Sequence, residues 1–287
     1  MKYGLTLAFI VIVAITRAQT SQRGGSGSTQ DSTVNCVTYW DRGEIKTYSI
    51  VHDKITILPG GKPQPFHFQY EARVTVVDQT EKDYTIQWKL HIPQSLRGRR
   101  PGLVDSLPIF EGMQLIYKIS DVGAFQELVN WEEVRDDYSR LMVLSLPPGI
   151  DSAGSALEET RAMFKSRGMV EATLTRELQL FHIPYGYSFS TTPVNIPTSM
   201  TTPFSRTPLA ANQIVEVTDI SAKNDEYTLL IRQSVDKQKT PRSLELEDLS
   251  EYRFNKTTGW LQQLSYKRTA IYGETSQSDS FTITLLK

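Results

Sequence analysis

The densest group of side chains that could do acid–base chemistry or hold a cation lies near the middle of the chain. It consists of the carboxylates Glu132, Glu133, Asp136 and Asp137. Glu133 and Asp137 would share one face of a helix, and glycoside hydrolysis needs two carboxyl groups that face each other across a cleft. Acidic residues at a helix start also complement the helix dipole, and Arg135 and Arg140 stand among them. We therefore predict a solvated helix start, and we keep a carboxylate-based hydrolase acting on envelope or extracellular glycans as an alternative.

Histidines and glycines give no catalytic signature. The sequence has no glycine-rich phosphate loop, no Gly-x-Ser-x-Gly elbow and no His-Glu-x-x-His pair. The four histidines are scattered, and only His52 has an acidic neighbour, Asp53, whose side chain would point to the opposite face of a strand. His182 ends an apolar helical stripe and is predicted to be a core or capping residue. We predict no catalytic residues, no metal site and no cofactor.

Charge and cysteine usage narrow the possible partners. The chain carries 31 basic and 32 acidic residues, which gives no electrostatic case for binding nucleic acid or an anionic membrane surface. The one basic cluster, residues 97–100, is predicted to be a solvated loop, with an anion or protease-sensitive site as the alternative. Cys36 is the only cysteine, so no intramolecular disulfide can form. We predict a half-buried strand cysteine, with a reactive thiol or an intermolecular disulfide as the alternative.

Aromatic residues give the better candidate for a binding site. Tyr185, Tyr187 and Phe189 lie in a segment rich in Pro, Thr and Ser, where ordinary loops are polar. Such residues either pack beneath the loop, which is the commoner outcome, or line an apolar cavity. Trp131 and Phe164 lie in predicted helices nearby. We predict that these five residues line an apolar ligand site.

The elements that must position these residues change from strands to helices and back. Phe66 to Val77 alternates between apolar and polar residues, which indicates an antiparallel sheet with one packed and one wet face. Two similar hairpins, at residues 74–86 and 215–229, indicate that both ends of the chain supply strands to one sheet, by duplication or by convergence. The predicted single α+β domain, 34–287, comprises strands at 34–129, helices at 130–183, a surface crossover with short edge strands at 184–211, and strands at 212–287.

Three helices are predicted in the central block. Asn130 and Glu133 form a capping-box pattern at the start of the first helix. The second begins at Ser155 and ends at Gly168. The third runs from Met169 to about Phe181, with apolar residues along one stripe.

The N-terminal residues have the layout of a secretory signal peptide. Lys2 precedes the apolar run Leu5–Ile15, which is too short to span a bilayer stably, and small residues precede a cleavage point near Ala18-Gln19. We predict a signal peptide at 1–18 and a disordered Gly/Ser-rich lead at 19–33. The mature protein is then periplasmic or secreted and does not span the membrane.

Two stretches of the chain resemble a known group of proteins. Residues 121–134, Asp-Val-Gly-Ala-Phe-Gln-Glu-Leu-Val-Asn-Trp-Glu-Glu-Val, and 254–261, Phe-Asn-Lys-Thr-Thr-Gly-Trp-Leu, resemble uncharacterised exported proteins of Bacteroidota. The resemblance implies an envelope protein and brings no catalytic residues with it. A looser likeness is to the lipoprotein-carrier half-barrel, whose concave face is covered by helices and holds acyl chains. This chain is longer and places its helices in one central block.

These observations predict an α+β protein with a large curved antiparallel sheet, of which a half-barrel is one form, and about three central helices packed on one face. The predicted function is non-enzymatic binding of an apolar ligand, such as a lipid, or of an envelope partner between sheet and helices. A solidly packed interface, with no cavity of a few hundred cubic ångströms, would contradict it. A structural or adaptor role through a sheet edge is a further alternative.

Overall fold

A single antiparallel sheet of eleven strands dominates the fold. The computed structural model describes residues 32–93, 111–144, 154, 158, 161–236, 238, 240 and 243–286. The predicted signal peptide, almost all of the predicted lead and the basic cluster at 97–100 lie outside these residues. The strands of the large sheet are β2 (Ile45–Ile57), β3 (Gln64–Gln79), β4 (Asp83–His91), β5 (Gln114–Ser120), β6 (Phe125–Leu128), β8 (Val194–Thr202), β9 (Ser205–Ser221), β10 (Glu226–Val235), β11 (Leu244–Asn255), β12 (Leu261–Tyr272) and β13 (Thr275–Leu285). A separate two-stranded sheet pairs β1 (Thr33–Cys36) with β7 (Tyr187–Ser190).

The order of the strands joins the two ends of the chain at the middle of the sheet. The order is β6-β5-β4-β3-β2-β13-β12-β11-β10-β9-β8, and β6 and β8 are its edges, so the sheet is not closed. Strand β13 pairs with β2 from Ser276 opposite Ile57 to Leu285 opposite Tyr48. Strands from both ends of the chain therefore share one sheet, as the sequence predicted.

The alternation of apolar residues selects the buried face. On β3, Tyr70, Ala72, Val74 and Val76 are all buried, as predicted. Phe66, near the start of the same strand, remains 37% exposed. We call the covered side the inner face; it carries Tyr48, Trp88 and Tyr117, each of which contacts the last helix.

The helices that follow β6 and precede β7 in the sequence cover the inner face. They are α1 (Trp131–Leu144), α2 (Arg167–Leu174) and α3 (Arg176–His182), and residues 154, 158 and 161–163 are also helical. Val134, Val170, Leu178 and Phe181 place all three named helices in the same core as the inner face. The fold is predominantly β, so α+β describes it only roughly.

The predicted third helix is interrupted at Thr175. The Thr175 hydroxyl donates to the carbonyl of Glu171 at 2.7 Å, and the backbone at Thr175 has φ −119° and ψ 25°, outside the helical region. The prediction of one continuous helix there was wrong. Gly168, predicted to end the second helix, lies instead in the first turn of α2.

Asn130 binds the neighbouring strand rather than capping α1. Its Oδ1 accepts from the amide of Ile116 at 2.8 Å, and its Nδ2 donates to the carbonyl of Gln114 at 3.0 Å. The side chain thus continues the pairing with β5 where the short strand β6 has ended. The predicted capping box was wrong, because the side-chain amide of Asn130, which would have capped the helix, binds these β5 groups instead.

The segment predicted as a surface crossover, 184–211, is mostly extended. It contains β7, the edge strand β8 and the first part of β9. Pro197 lies on the edge strand β8, a position at which a missing amide donor is tolerated.

Candidate functional site

Tyr185 lies at the centre of a packed aromatic cluster. It is fully buried, its hydroxyl donates to the carbonyl of Gly259 at 2.8 Å, and its ring meets Trp40 edge-on at 5.7 Å. Trp40 in turn stacks on Trp260 at 3.9 Å. Gly259 belongs to the stretch 254–261, and Gly123 belongs to the stretch 121–134, the two that resemble proteins of Bacteroidota. Gly123 packs so closely that a Cβ there would lie 2.8 Å from the Tyr185 ring. Both stretches therefore meet at Tyr185, and the cluster is a solid packing centre.

The other four predicted site residues have different contacts from Tyr185. Tyr187 and Phe189 lie on β7, with their rings 6.3 Å apart. Phe164 is buried and meets Tyr138 edge-on at 5.4 Å. Trp131, half-buried at the start of α1, lies beneath the guanidinium of Arg135.

A cavity of about 120 Å³ lies elsewhere on the inner face, between strands β3–β5 and the helices. None of the five predicted residues is among its described lining residues, although Tyr138, the partner of Phe164, is. Their role as ligand contacts stays a prediction. The described lining residues are Phe68, Tyr70, Trp88, Leu90, Met113, Leu115, Tyr138, Leu174, Thr175, Glu177 and Leu178.

The floor of the cavity follows from strand register. Trp88 on β4 lies opposite Leu115 on β5, so neighbouring strands place large apolar side chains side by side. The roof depends on the interruption at Thr175, because Leu174, Thr175 and Leu178 come from the two sides of that break. This roof could not be predicted from the sequence, because the apolar helical periodicity continues through Thr175 and no Pro or Gly marks the end of a helix there.

Glu177 is the one carboxylate among the described lining residues of this otherwise largely apolar cavity. Desolvation raises its pKa, and the hydrogen bond from its own backbone amide only partly offsets that effect. No side chain in the described parts of the chain donates a hydrogen bond to it. Tyr70, another lining residue, lies near this carboxylate, and burial raises the pKa of its phenol as well.

An ion-pair network adjoins Glu177. Buried Asp279 accepts from His52 Nε2 at 2.7 Å and from Arg176 at 2.5 Å, and Arg176 also donates to the hydroxyl of Tyr266 at 3.0 Å. Burial alone would raise the pKa of Asp279, but the His52 hydrogen bond and the Arg176 charge lower it to about 2. The neighbouring Asp53 pairs instead with His67 at 2.6 Å. His52 and Asp53 thus have different partners, which agrees with the prediction that their side chains point to opposite faces of the strand.

The acidic cluster on α1 is engaged by its own neighbours. Glu133 accepts from the side chain of Asn130, and Asp137 pairs with Arg140 at 3.1 Å. Asp136 pairs with Arg135, whose hydrogen bond lowers the pKa of that carboxyl group. Within the described residues, no group of three His, Cys, Asp or Glu side chains is placed to hold a metal ion.

Cys36 lies fully buried on β1, where a half-buried strand position was predicted. Burial raises the pKa of its thiol far above the usual range. Because the thiolate is the reactive form, this cysteine is poorly suited to nucleophilic or redox chemistry.

Comparison with known proteins gives no family. No protein-family model and no curated protein matches this sequence. Among solved structures, lipovitellin, described for its lipid–protein interactions, is similar over 86% of this chain at 10% identity, with a TM-score of 0.45, and this chain spans 25% of its length. A Bacteroides fragilis protein described as exported, with a YmcC-like fold, is similar over 88% of this chain and 100% of its own, at 10% identity and a TM-score of 0.19. Both scores are too low to assign a fold or a function. In the described parts of the chain, every helix is too short or too polar to cross a membrane.

Proposed function

We propose that this protein is exported and binds the apolar part of a small ligand in the cavity between β3–β5 and the helices, without catalysing a reaction. The cavity is the observation that carries the proposal. It is lined by aromatic and aliphatic side chains together with few polar groups, which is the usual composition of a small-molecule site. Export rests on residues 1–18 alone, which have the pattern of a signal peptide.

The volume of the cavity limits the ligand. At about 120 Å³ it does not reach the few hundred cubic ångströms that the prediction from sequence required, so that prediction is not met in its original form and the proposal is restricted to a smaller ligand. A comparable engineered cavity of about 150 Å³ binds benzene, so one ring or a short chain end fits, whereas a whole acyl chain does not. Burying a ring of about 150–250 Å² at about 25 cal/mol per Å² gives at most about 4–6 kcal/mol, which corresponds to a Kd between about 1 mM and tens of micromolar.

The test is to fill the cavity and measure binding of a neutral aromatic probe, 2-phenylethanol, by ligand-detected NMR or calorimetry. Leu174→Trp adds an indole to the cavity lining, and we expect it to abolish binding. Leu58→Trp places the same indole at an exposed position outside the described lining and should leave binding unchanged. If the unsubstituted protein fails to bind the probe, or if Leu174→Trp binds as well as Leu58→Trp, the proposed site is refuted.

The other functions have weaker support. Glu133 and Asp137 have local partners, which does not favour a hydrolase pair. The edge strand β8 exposes Val194, but Pro197 on the same strand lacks an amide with which to pair a further strand.

An apolar ligand retained during purification from an exporting host would appear as extra mass in native mass spectrometry.

A further inference from the structure

We propose that Glu177 makes the cavity selective for ligands that carry a protonated amine next to their apolar part. The inference rests on the proposed function and names the chemical class of ligand for the same site.

The first support is the position and the few hydrogen-bond donors of the Glu177 carboxyl group. Glu177 borders a largely apolar cavity, and its own backbone amide is its one hydrogen-bond donor among the described residues. Glu177 is half-buried, and a carboxylate can accept several hydrogen bonds, so it has capacity for donors beyond its own amide. A ligand ammonium group would supply such donors and a complementary charge at the same time.

The second support is the charge balance around Glu177. The charged or titratable groups that act on it are Arg176 on its own helix, His52 on β2 and Asp279 on β13, and the Tyr70 phenol on β3 is also close. Arg176 donates to Asp279 and to Tyr266, so its charge is already matched. Asp279 is engaged by Arg176 and His52, so Glu177 is left without a paired cation among the described residues, which favours a cationic ligand and disfavours an anionic one.

The third support is the aromatic composition of the walls. Tyr70, Trp88 and Tyr138 line the same cavity as Glu177. Aromatic rings attract ammonium groups through their negative faces, and cages of such rings are a common way to bind amines. The cavity therefore combines a carboxylate and several aromatic rings, the two features that recognise an amine.

The experiment compares three probes that share one apolar body. 2-Phenylethylamine is cationic, 2-phenylethanol is neutral and 3-phenylpropionate is anionic at neutral pH. We expect the amine to bind about tenfold more tightly than the alcohol, and the carboxylate to bind least tightly. Glu177→Gln should reduce the affinity for the amine to that for the alcohol and leave the alcohol unchanged. Glu132→Gln, on the exposed start of α1, is the matched control and should change neither affinity.

The outcomes separate the two proposals. If the alcohol binds and the amine binds no more tightly, the ligand class is wrong while the cavity remains a binding site. A tenfold preference for the amine that survives in Glu177→Gln would also overturn the role of Glu177. If no probe binds, the proposed function fails, and the ligand class fails with it. The comparison of probes on the unsubstituted protein remains decisive even if Glu177→Gln does not fold.

Discussion

Gly259 and Gly273 adopt the same left-handed backbone conformation in very different surroundings. Their φ angles are 69° and 59°. A Cβ at Gly259 would lie 2.1 Å from the carbonyl oxygen of Val37, whereas a Cβ at Gly273 would have no atom within 4 Å. The first glycine is therefore required by close packing as well as by conformation, and the second by conformation alone.

Alanine at these two positions should separate the two costs. We expect Gly273→Ala to lower the free energy of unfolding by about 1–2 kcal/mol, the cost of a left-handed alanine. Gly259→Ala should lower it by at least about 3 kcal/mol, because Val37 must also move. Urea denaturation at neutral pH measures both changes. Equal losses would show that the close approach of Val37 costs little.

His182 is a core residue that also satisfies two buried polar groups. A carbonyl oxygen can only accept, so His182 Nδ1 carries the proton and donates to Gly123 at 2.8 Å. Nε2 then accepts from the hydroxyl of Tyr117 at 3.1 Å. Desolvation lowers the pKa of the ring to about 3, so the ring stays neutral in the folded protein under ordinary conditions.

This low pKa predicts a specific acid sensitivity. The unfolded chain binds a proton at His182 with a pKa near 6.5, while the folded protein does not until about pH 3. The stabilisation from neutral His182 is therefore fully present above about pH 6.5 and is lost as the pH falls toward 3, at up to about 1.4 kcal/mol per pH unit. His182→Gln keeps a donor and an acceptor but removes the titration.

Denaturation at pH 7, 5 and 4 measures this effect. We expect the gap in unfolding free energy between the unsubstituted protein and His182→Gln to shrink by about 3 kcal/mol between pH 7 and pH 4. A gap that stays constant over this range would mean that His182 is protonated in the folded state or retains contact with water.

At the scale of elements, helix α3 is fixed to the sheet at both of its ends. Arg176, its first residue, donates to Asp279 on β13 and to Tyr266 on β12. Near its C-terminus, the carbonyl of Leu180 accepts from Tyr252 on β11, and His182 binds Tyr117 on β5. A short helix with little intrinsic stability is thus held in place by contacts with four strands.

Removing one of these attachments should cost far more than removing an exposed ion pair. Arg176→Met leaves Asp279, which is 4% exposed, with His52 as its remaining side-chain hydrogen-bond partner. We expect a loss of about 2–4 kcal/mol in unfolding free energy. Arg140→Met, which breaks the exposed pair with Asp137, should cost less than about 1 kcal/mol. Similar losses for both variants would indicate that the buried network adds no stability.

At the scale of the whole molecule, the two ends of the folded domain meet in the middle of the sheet. Strand β13 lies between β12 and β2, and its residues Phe281 and Ile283 belong to the main core. Because β2 and β13 are far apart in the sequence, their pairing closes a very long loop, and such non-local pairing slows folding.

Deleting the last strand should therefore prevent folding. Removal of residues 275–287 leaves β2 and β12 without their shared partner and exposes the core that Phe281 and Ile283 cover. We expect no cooperative thermal transition by circular dichroism. Removal of residues 286–287 alone deletes the backbone hydrogen bond from Leu286 to Thr47 and should keep the transition. A cooperative transition after the larger deletion would show that β13 is dispensable.

Much of the fold could be predicted from local pattern. The alternation at Tyr70, Ala72, Val74 and Val76 was sufficient to identify the buried side of β3, because residues two apart on a strand share a face. The burial of His182 could be predicted from its place at the end of an apolar stripe. The candidate cavity could not be predicted, because none of the five aromatic residues chosen from sequence is among its described lining residues.

The sequence by itself determined most strands outside residues 184–211 and the buried face of β3, because alternation depends only on neighbours along the chain. Within 184–211 it predicted a surface crossover with short edge strands, and the extent of β8 and the start of β9 emerged only in the structure. The tertiary structure decided the rest. The break at Thr175 depends on a hydroxyl that binds Glu171, and the role of Asn130 depends on β5, whose Ile116 amide would otherwise lack a partner at that edge. The cavity and the environment of Glu177 arise only when β3–β5 meet the two helices on either side of Thr175. The volume of a cavity and the pKa shift of a buried group depend on residues that are distant in the sequence and meet only on folding, so local sequence patterns do not predict them.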